Sequence, residues 1–290
     1  MNAPARDLTG RVCVVSGGTS GIGQATATGL ARLGATVLVL GRDVKKGEVA
    51  AAQISAQAGN PSVDFVPTDL GSPARLRECA QEIRSRHPAV HVLINNAHVY
   101  HAHRVTTDDG LEAMFAVNYL SQFRLSHLLL DALKAGAPSR IVNVSDDWGL
   151  VRRAGVDFDD LQAEKDYAPV RQHNRAKLAV FYFTHELAKR LEGTGVTVNC
   201  LYPGHVDTGL KGDVPWFTHV VYPAFKRLGV LKTPEEGAET PVYLASSPEV
   251  EDVTGRHFAN KKAVDPSHIH YDEAVSRRLW DVSVQLAGLQ

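Results

Sequence analysis

Eight residues, Ser16-Gly17-Gly18-Thr19-Ser20-Gly21-Ile22-Gly23, constrain this chain more than any other stretch. They join an apolar, β-branched run, Val12-Cys13-Val14-Val15, to a segment from Ile22 to Leu33 with helical spacing of Ala and Leu that stops at Gly34. A short apolar run between turn signals reads as a buried parallel strand, and a glycine just past the last periodic residue ends a helix. Glycines at 17, 21 and 23 permit a tight turn and close backbone approach, while the free N–H groups of the helix start face an anion. The pattern predicts a site for the pyrophosphate of a dinucleotide.

The same alternation runs on through the chain. Thr36–Leu40 reads as a second strand, and Asp43 caps a helix reaching about Ala58. Val63–Val66, Val90–Ile94, Arg140–Val144 and Val196–Leu201 read as further strands. Helices are expected from Ser72 to about Arg86, from about Gly110 to Lys134, across His173 and Lys177 to Leu191, and from Ala274 to Leu286. Strands alternating with helices of this length make right-handed β–α–β units. The predicted fold class is α/β, a single doubly wound Rossmann-type parallel sheet with helices on both faces. No repeat or low-complexity linker divides residues 1–290, so one dinucleotide-binding domain is expected.

A chain of 290 residues, 44% hydrophobic, can bury a core of that size. Net charge is −1 with acids and bases interspersed, which argues against nucleic acid or an anionic membrane surface as partner. Cys13, Cys79 and Cys200 sit in apolar surroundings and read as reduced core residues. No apolar run approaches the ~20 residues of a membrane span, and the first residues lack the apolar core of a signal peptide. A cytoplasmic protein with a small-molecule substrate is the expectation.

The glycine octet resembles the TGxxxGIG signature of short-chain dehydrogenases/reductases, with Ser16 where threonine is usual. Further motifs of that family follow in order: Asp69-Leu70, Asn95-Asn96-Ala97, Asn118 in the long helix, and Pro203-Gly204 with Thr208. Phe158-Asp159-Asp160-Leu161 and Arg278-Leu279-Trp280 look like the retinol-dehydrogenase-like branch. The resemblance implies a nicotinamide dinucleotide held by Ser16, Gly17, Thr19, Ser20, Gly21, Ile22 and Gly23. It places Asp69 and Leu70 at the adenine, and Asn96, Ala97, Lys177, Pro203, Gly204, Val206 and Thr208 toward the nicotinamide and its ribose. It also implies a homodimer or homotetramer through the helices at 110–134 and 170–192. The second strand ends Leu40-Gly41-Arg42, with no carboxylate before Asp43. A carboxylate there would bind the ribose hydroxyls, whereas Arg42 can pair with a 2′-phosphate, so NADP(H) is favoured over NAD(H).

The catalytic set departs from the family's serine, tyrosine and lysine. In Asn143-Val144-Ser145-Asp146-Asp147 the family register puts Asp146 at the catalytic serine and Ser145 at the structural one; a one-residue slip would make Ser145 catalytic. The YxxxK motif falls on His173 to Lys177, so histidine stands for tyrosine, and Tyr167 lies upstream in a loop. His98 stands where the family keeps glycine, while Asn118 and Lys177 are the expected residues. An imidazole titrates near pH ~6.5 and exchanges protons near neutrality without help. Lys177 would lower its pKa, and Asp146, if in contact, would raise it and orient the ring. Imidazole is shorter than phenol, so the substrate must sit deeper or a water must bridge. Asp146 opposes negative charge developing on a carbonyl oxygen, which suits activation of a hydroxyl or of a C–H bond better than ketone reduction.

His98, His101 and His103 fall close together, but their spacing fits no standard metal pattern, and no metal is expected. His98, Trp148, His205 and Trp216 are expected around a substrate cleft, with a lid at about 207–234 whose aromatics suit a bulky apolar or aromatic substrate. Three functions stay open. The first is an atypical NADP(H)-dependent oxidoreductase using His173, Lys177, Asp146 and Asn118. The second is a non-redox dehydratase, isomerase or cyclase on the same scaffold, and the third a catalytically silent NADP(H)-binding protein.

Overall fold

The computed structural model describes residues 6–207, 231–265 and 271–289. Thr208, Trp216 and most of the expected lid lie outside the described residues. The described strands form one sheet in the order β3(Val63–Pro67), β2(Thr36–Gly41), β1(Val12–Ser16), β4(Val92–Asn95), β5(Ser139–Val144), β6(Val196–Tyr202), β7(His257–Ala259), β8(Lys262–Ala263). All neighbours are parallel except β7 and β8. Strand order reverses between β1 and β4, and in such sheets ligands bind outside the carboxyl ends at that crevice.

Alternate residues of each strand feed two cores. Val14, Leu38, Leu93 and Ile141 face one layer, Val15, Val39, Ile94 and Val142 the other. On the first side lie α3(Pro73–Arg86), α5(Ser121–Leu128) and α8(Pro169–Arg190); on the second lie α1(Gly21–Arg32), α2(Val44–Ala58) and the Pro234–Ser246 helix. Local chemistry sets the helix ends. The Asp43 carboxylate accepts from Lys46 N and Gly59 ends α2 at φ 64°, while Ser72 accepts from Arg75 N with Pro73 at the first position of α3.

Three differences from the sequence expectations have physical causes. The fourth strand starts at Val92, because Val90 N bonds to Ala132 O instead of to a strand. The long helix is broken into α4(Ala113–Phe115), a π turn at Ala116–Leu120, α5 and α6(Leu130–Ala135). Glu112, fully buried, starts it by accepting from Met114 N and Phe115 N, and Gln122 Nε2 donates to Asn118 O within the wide turn. The Pro234–Ser246 helix, β7 and β8 are absent from the sequence expectations. The strands have three and two residues, too short for a periodic signal, but the capping box of Thr233 and Glu236 is readable in the sequence.

The Glu273–Ala287 helix lies across α5 and α8. Tyr119 and Ser283 hydroxyls hydrogen-bond at 2.7 Å, Trp280 packs on Phe123 at 5.0 Å, and Arg190 stacks over Trp280 at 4.1 Å. The chain's own last helix thus packs on the α5 and α8 segments named for self-association.

His257, on β7, is 3% exposed, and neither ring nitrogen has a hydrogen-bond partner among the described residues. Burial pushes its pKa down to about 4, against opposing pulls from the Asp147 charge and from the Asp146 backbone, which lies near the ring without forming a well-aligned hydrogen bond. The unfolded chain takes up this proton near 6.5 and the folded chain only near 4, so stability is intact above the first value and falls as pH drops between them. A group so displaced removes about 3 kcal/mol by pH ~4. Urea unfolding at pH 7 and near pH 4.5 should show this loss, and His257→Leu should flatten it; an unchanged slope in the variant would assign the loss to other groups.

Candidate active site

A cavity of about 630 Å³ opens at the carboxyl ends of β1, β4, β5 and β6. At one end is the glycine turn, with Gly17 at φ 65° and Gly21 at φ 54°. A Cβ on Gly17 would lie 2.8 Å from Ala97 Cα, and one on Gly23 would lie 2.2 Å from Gly17 O and 2.5 Å from Asn96 Nδ2. These glycines therefore let the turn, α1 and the end of β4 close on one another. Ser16 sits behind, 2% exposed and off the cavity wall, with its Oγ accepting from Asn96 N at 3.0 Å and Ala97 N at 3.3 Å. Ser16 Oγ accepts both of these bonds in joining β1 to β4, and the residue lies behind the wall of the cavity expected to take the cofactor. Asn96 Nδ2 returns two bonds of 3.2 Å to Ser16 O and Gly17 O.

Thr19, Ser20, Gly21, Ile22 and Gly23 line the cavity, and no side chain caps the start of α1. A glycine cradle ending in uncapped N–H groups fits a pyrophosphate. Arg42 and Lys46, both exposed, border the cavity past the end of β2, and the Asp43 carboxylate beside them is turned to capping α2. Asp69 and Leu70 line the opposite wall, Asp69 Oδ1 accepting from Gly71 N. Asn96, Ala97, Pro203, Gly204, His205 and Val206 continue the lining toward the other end. The residues present fit a nicotinamide dinucleotide.

The catalytic candidates meet there. Lys177 is 3% exposed, its Nζ donating to Val144 O at 3.0 Å, and burial lowers its pKa to about 8 against the opposing charge of Asp146. Ser145 lines the cavity, but its Oγ donates to Lys177 O at 2.9 Å and the residue is 4% exposed. The hydroxyl is committed to fixing α8, whereas the Asp146 carboxylate stands 4.0 Å from His173 Nε2. His173 Nδ1 is 3.2 Å from Asn174 Oδ1. Burial first and Lys177 second push the His173 pKa below its ordinary value, with Asp146 and Asn174 pulling the other way. The His98 ring meets His173 edge-on at 5.0 Å, and Tyr100 lies 5.9 Å from it.

Other candidates fall elsewhere. Asn118 is fully buried and off the cavity wall, its amide exchanging bonds of 2.8 and 2.9 Å with Val99 N and O, so it positions the loop after β4. Tyr167 Oη donates to His101 O at 2.7 Å, and neither that histidine nor His103 lines the cavity. Among the described residues no group of three His, Cys, Asp or Glu side chains could hold a metal ion. Trp148 also departs from expectation: it is 8% exposed and lines a separate cavity of about 340 Å³ with Arg152, Tyr182 and Asp272. As the first residue of α7(Trp148–Val151) it turns inward onto Phe181. Sequence reasoning misses Tyr202, which ends β6 beside Pro203 and lines the main cavity. Burial, then the charges of Asp146 and Asp147, raise its pKa to about 12. Period-two alternation along β6 is the available signal.

Comparison with known proteins agrees with this geometry. Residues 11–158 match the short chain dehydrogenase family. The chain is 43% identical over 297 residues to retinol dehydrogenase 14 of Homo sapiens, covering 97% of this chain and 88% of that one. A crystal structure of a Mycobacterium paratuberculosis protein superposes with TM-score 0.76 at 25% identity, covering 99% of this chain and 96% of that one. The Pseudomonas aeruginosa RhlG/NADP active-site complex does so with TM-score 0.69 at 27% identity, covering 87% and 95%. With its sheet order, glycine turn, buried Lys177 and these likenesses in agreement, the chain belongs to the short-chain dehydrogenase/reductase family.

Proposed function

We propose that this protein is an NADP(H)-dependent oxidoreductase acting on a hydroxyl or carbonyl of a bulky apolar or aromatic small molecule, with His173 moving the proton. The observation that carries the reading is the position of His173: on the cavity wall, one turn before buried Lys177, where the family keeps its tyrosine. The apolar substrate class is supported by the name of the relative, a retinol dehydrogenase. NADP(H) is supported by Arg42 and Lys46 at a strand end without a free carboxylate, and by a structural relative that is an NADP complex.

When bound, the dinucleotide accepts or supplies a hydride with its electron pair. The chain's residues favour alcohol oxidation. Held neutral by burial and by Lys177, His173 has a lone pair for the hydroxyl proton, and the imidazolium so formed lies 4.0 Å from the Asp146 carboxylate. Lys177 keeps the ring basic only weakly and can reach a ribose hydroxyl with the protons it does not give to Val144 O.

Loss of the general base typically removes about 100-fold or more in rate, so His173→Ala should do so in NADP+-dependent alcohol oxidation followed at 340 nm. No absorbance change with any alcohol that yields product would sink the reading. Arg42→Asp should raise the KM for NADP+ and lower that for NAD+; equal effects on both would remove Arg42 from 2′-phosphate recognition. Oxidation should fall on the acid side below pH 6.5, as His173 is protonated, and change again near pH 8 as Lys177 loses its charge. A profile flat across both would contradict the assigned roles.

One observation favours a second reading. Asp146 on the cavity wall opposes a developing oxyanion, which suits a non-redox dehydratase, isomerase or cyclase using the same His173–Asp146 pair. Product formed without cofactor consumption, and lost in both His173→Ala and Asp146→Ala, would establish it; retention of activity in both variants would exclude it.

A further inference from the structure

Resting on the NADP(H)-dependent oxidoreductase reading, we propose that Lys232 is a positioning residue for the nicotinamide half of the dinucleotide, acting through the Pro203-Gly204-His205 turn that it holds from behind.

On that reading the glycine turn after β1 takes the pyrophosphate and Arg42, past the end of β2, takes the 2′-phosphate. In the sheet β2 lies on one side of β1, and β4, β5 and β6 follow on the other. The ends of β5 and β6 are left for the second half of the ligand, and there Asp146, His173 and Lys177 border the cavity. Pro203, Gly204, His205 and Val206 follow β6 directly and line the same end. Val206 also reaches back to the glycine turn. A Cβ built on Gly237 would meet Val206 Cγ2 at 2.8 Å and Ile22 Cγ1 at 3.1 Å, so both side chains press on one point of the Pro234–Ser246 helix.

Such a turn does not fix its own shape. Gly204 sits at φ 93°, a conformation that glycine adopts freely, and glycine carries no side chain to pin it. Lys232 supplies the support. Its N–H donates to His205 O at 2.8 Å and its carbonyl accepts from Asp207 N at 2.9 Å, a parallel bridge opposite Val206. Its side chain then runs back over Gly204, where a Cβ would lie 3.0 Å from Cδ and Cε and 3.1 Å from Nζ. Beyond that point Nζ donates to Asn260 Oδ1 at 2.6 Å and to Pro203 O at 3.5 Å.

The far anchor is itself fixed. Asn260 lies in the tight turn between β7 and β8 at φ 50°, and the following N–H, of Lys261, donates to Thr240 Oγ1 at 3.2 Å. Strand β7 pairs with β6, Ala259 opposite Tyr202. The ammonium thus ties the Pro203 carbonyl to the hairpin at the edge of the sheet. Lys232 is not on the cavity wall, so its charge is spent on the turn and not on a ligand.

The test measures binding by the full chain and is independent of turnover. One probe is NADPH, followed by the fluorescence of its nicotinamide; the other is 2′-phospho-ADP-ribose, which keeps the adenosine half and pyrophosphate but lacks nicotinamide. Lys232→Met keeps an apolar stem over Gly204 and removes the ammonium. Asn260→Gly removes the acceptor and tolerates the positive φ. The expected result for Lys232→Met is an affinity for NADPH lower by about 10-fold, with that for 2′-phospho-ADP-ribose unchanged. Asn260→Gly should act in the same direction, and the double variant should be no worse than Lys232→Met alone, because both break one tie. Unchanged NADPH affinity in Lys232→Met overturns the proposal, as does an equal loss of both probes or strictly additive effects in the double variant. Wild-type protein that binds neither probe overturns the NADP(H) reading itself, a result distinct from a wild type that binds both and is indifferent to position 232.

Discussion

Two reciprocal hydrogen bonds between β5 and α8 hold the site together. Lys177 Nζ donates to Val144 O, and Ser145 Oγ donates to Lys177 O, so the end of the strand and the helix are tied in both directions. The pair puts a buried ammonium at the mouth of the sheet and uses up the serine hydroxyl next to it. The imidazoles on the wall of the cavity answer to that cation. It pushes His173 and His98 toward neutrality, and it is itself brought down to about 8 by its burial. A buried charge with one backbone partner is costly, which is why burial brings the Lys177 pKa down.

Around this cation the two departures from the family's motifs are coupled. Histidine alone beside Lys177 would be driven so far toward neutrality that holding a proton would be difficult. Aspartate alone would repel negative charge on a substrate without a gain. On the proposed reading the two, 4.0 Å apart, would form an acid–base pair in which the carboxylate stabilises the imidazolium that proton abstraction creates. Serine and tyrosine are both neutral before the reaction. On the same reading, histidine and aspartate would act as a base and its counter-ion, a bias toward removing protons.

The scaffold is legible in the sequence because it rests on local patterns. Strand runs, the glycine octet, Asp43 and Ser72 as caps, and the Pro203-Gly204 turn each act over a few residues, and the sheet follows from their order. What escapes depends on contacts between distant segments. The π turn at Asn118 arises from Gln122 and buried Glu112, which also accepts from Gln172 Nε2 sixty residues away. Proximity in sequence to Asp146 points Trp148 at the cleft, but one turn of helix carries it to a separate cavity. Motif position points Ser16 at the cofactor, and only the β1–β4 junction reveals its hydroxyl as internal. Tyr202 is hidden in an apolar strand whose last residue happens to face the cavity.

A family motif thus identifies backbone functions more securely than side-chain functions. Gly17 and Gly23 admit no Cβ whatever chemistry the site performs, since Ala97 and Asn96 already occupy the space. The positions that face the cavity carry no such restraint, and the three that the motif reading sets apart, His98, Asp146 and His173, all border it. The three replacements are not independent. His98 and His173 share a ring contact, His173 and Asp146 share charge, and Lys177 acts on both imidazoles. Side chains that share contacts in this way give non-additive effects when substituted, so these positions are to be treated as one unit and not as separate sites.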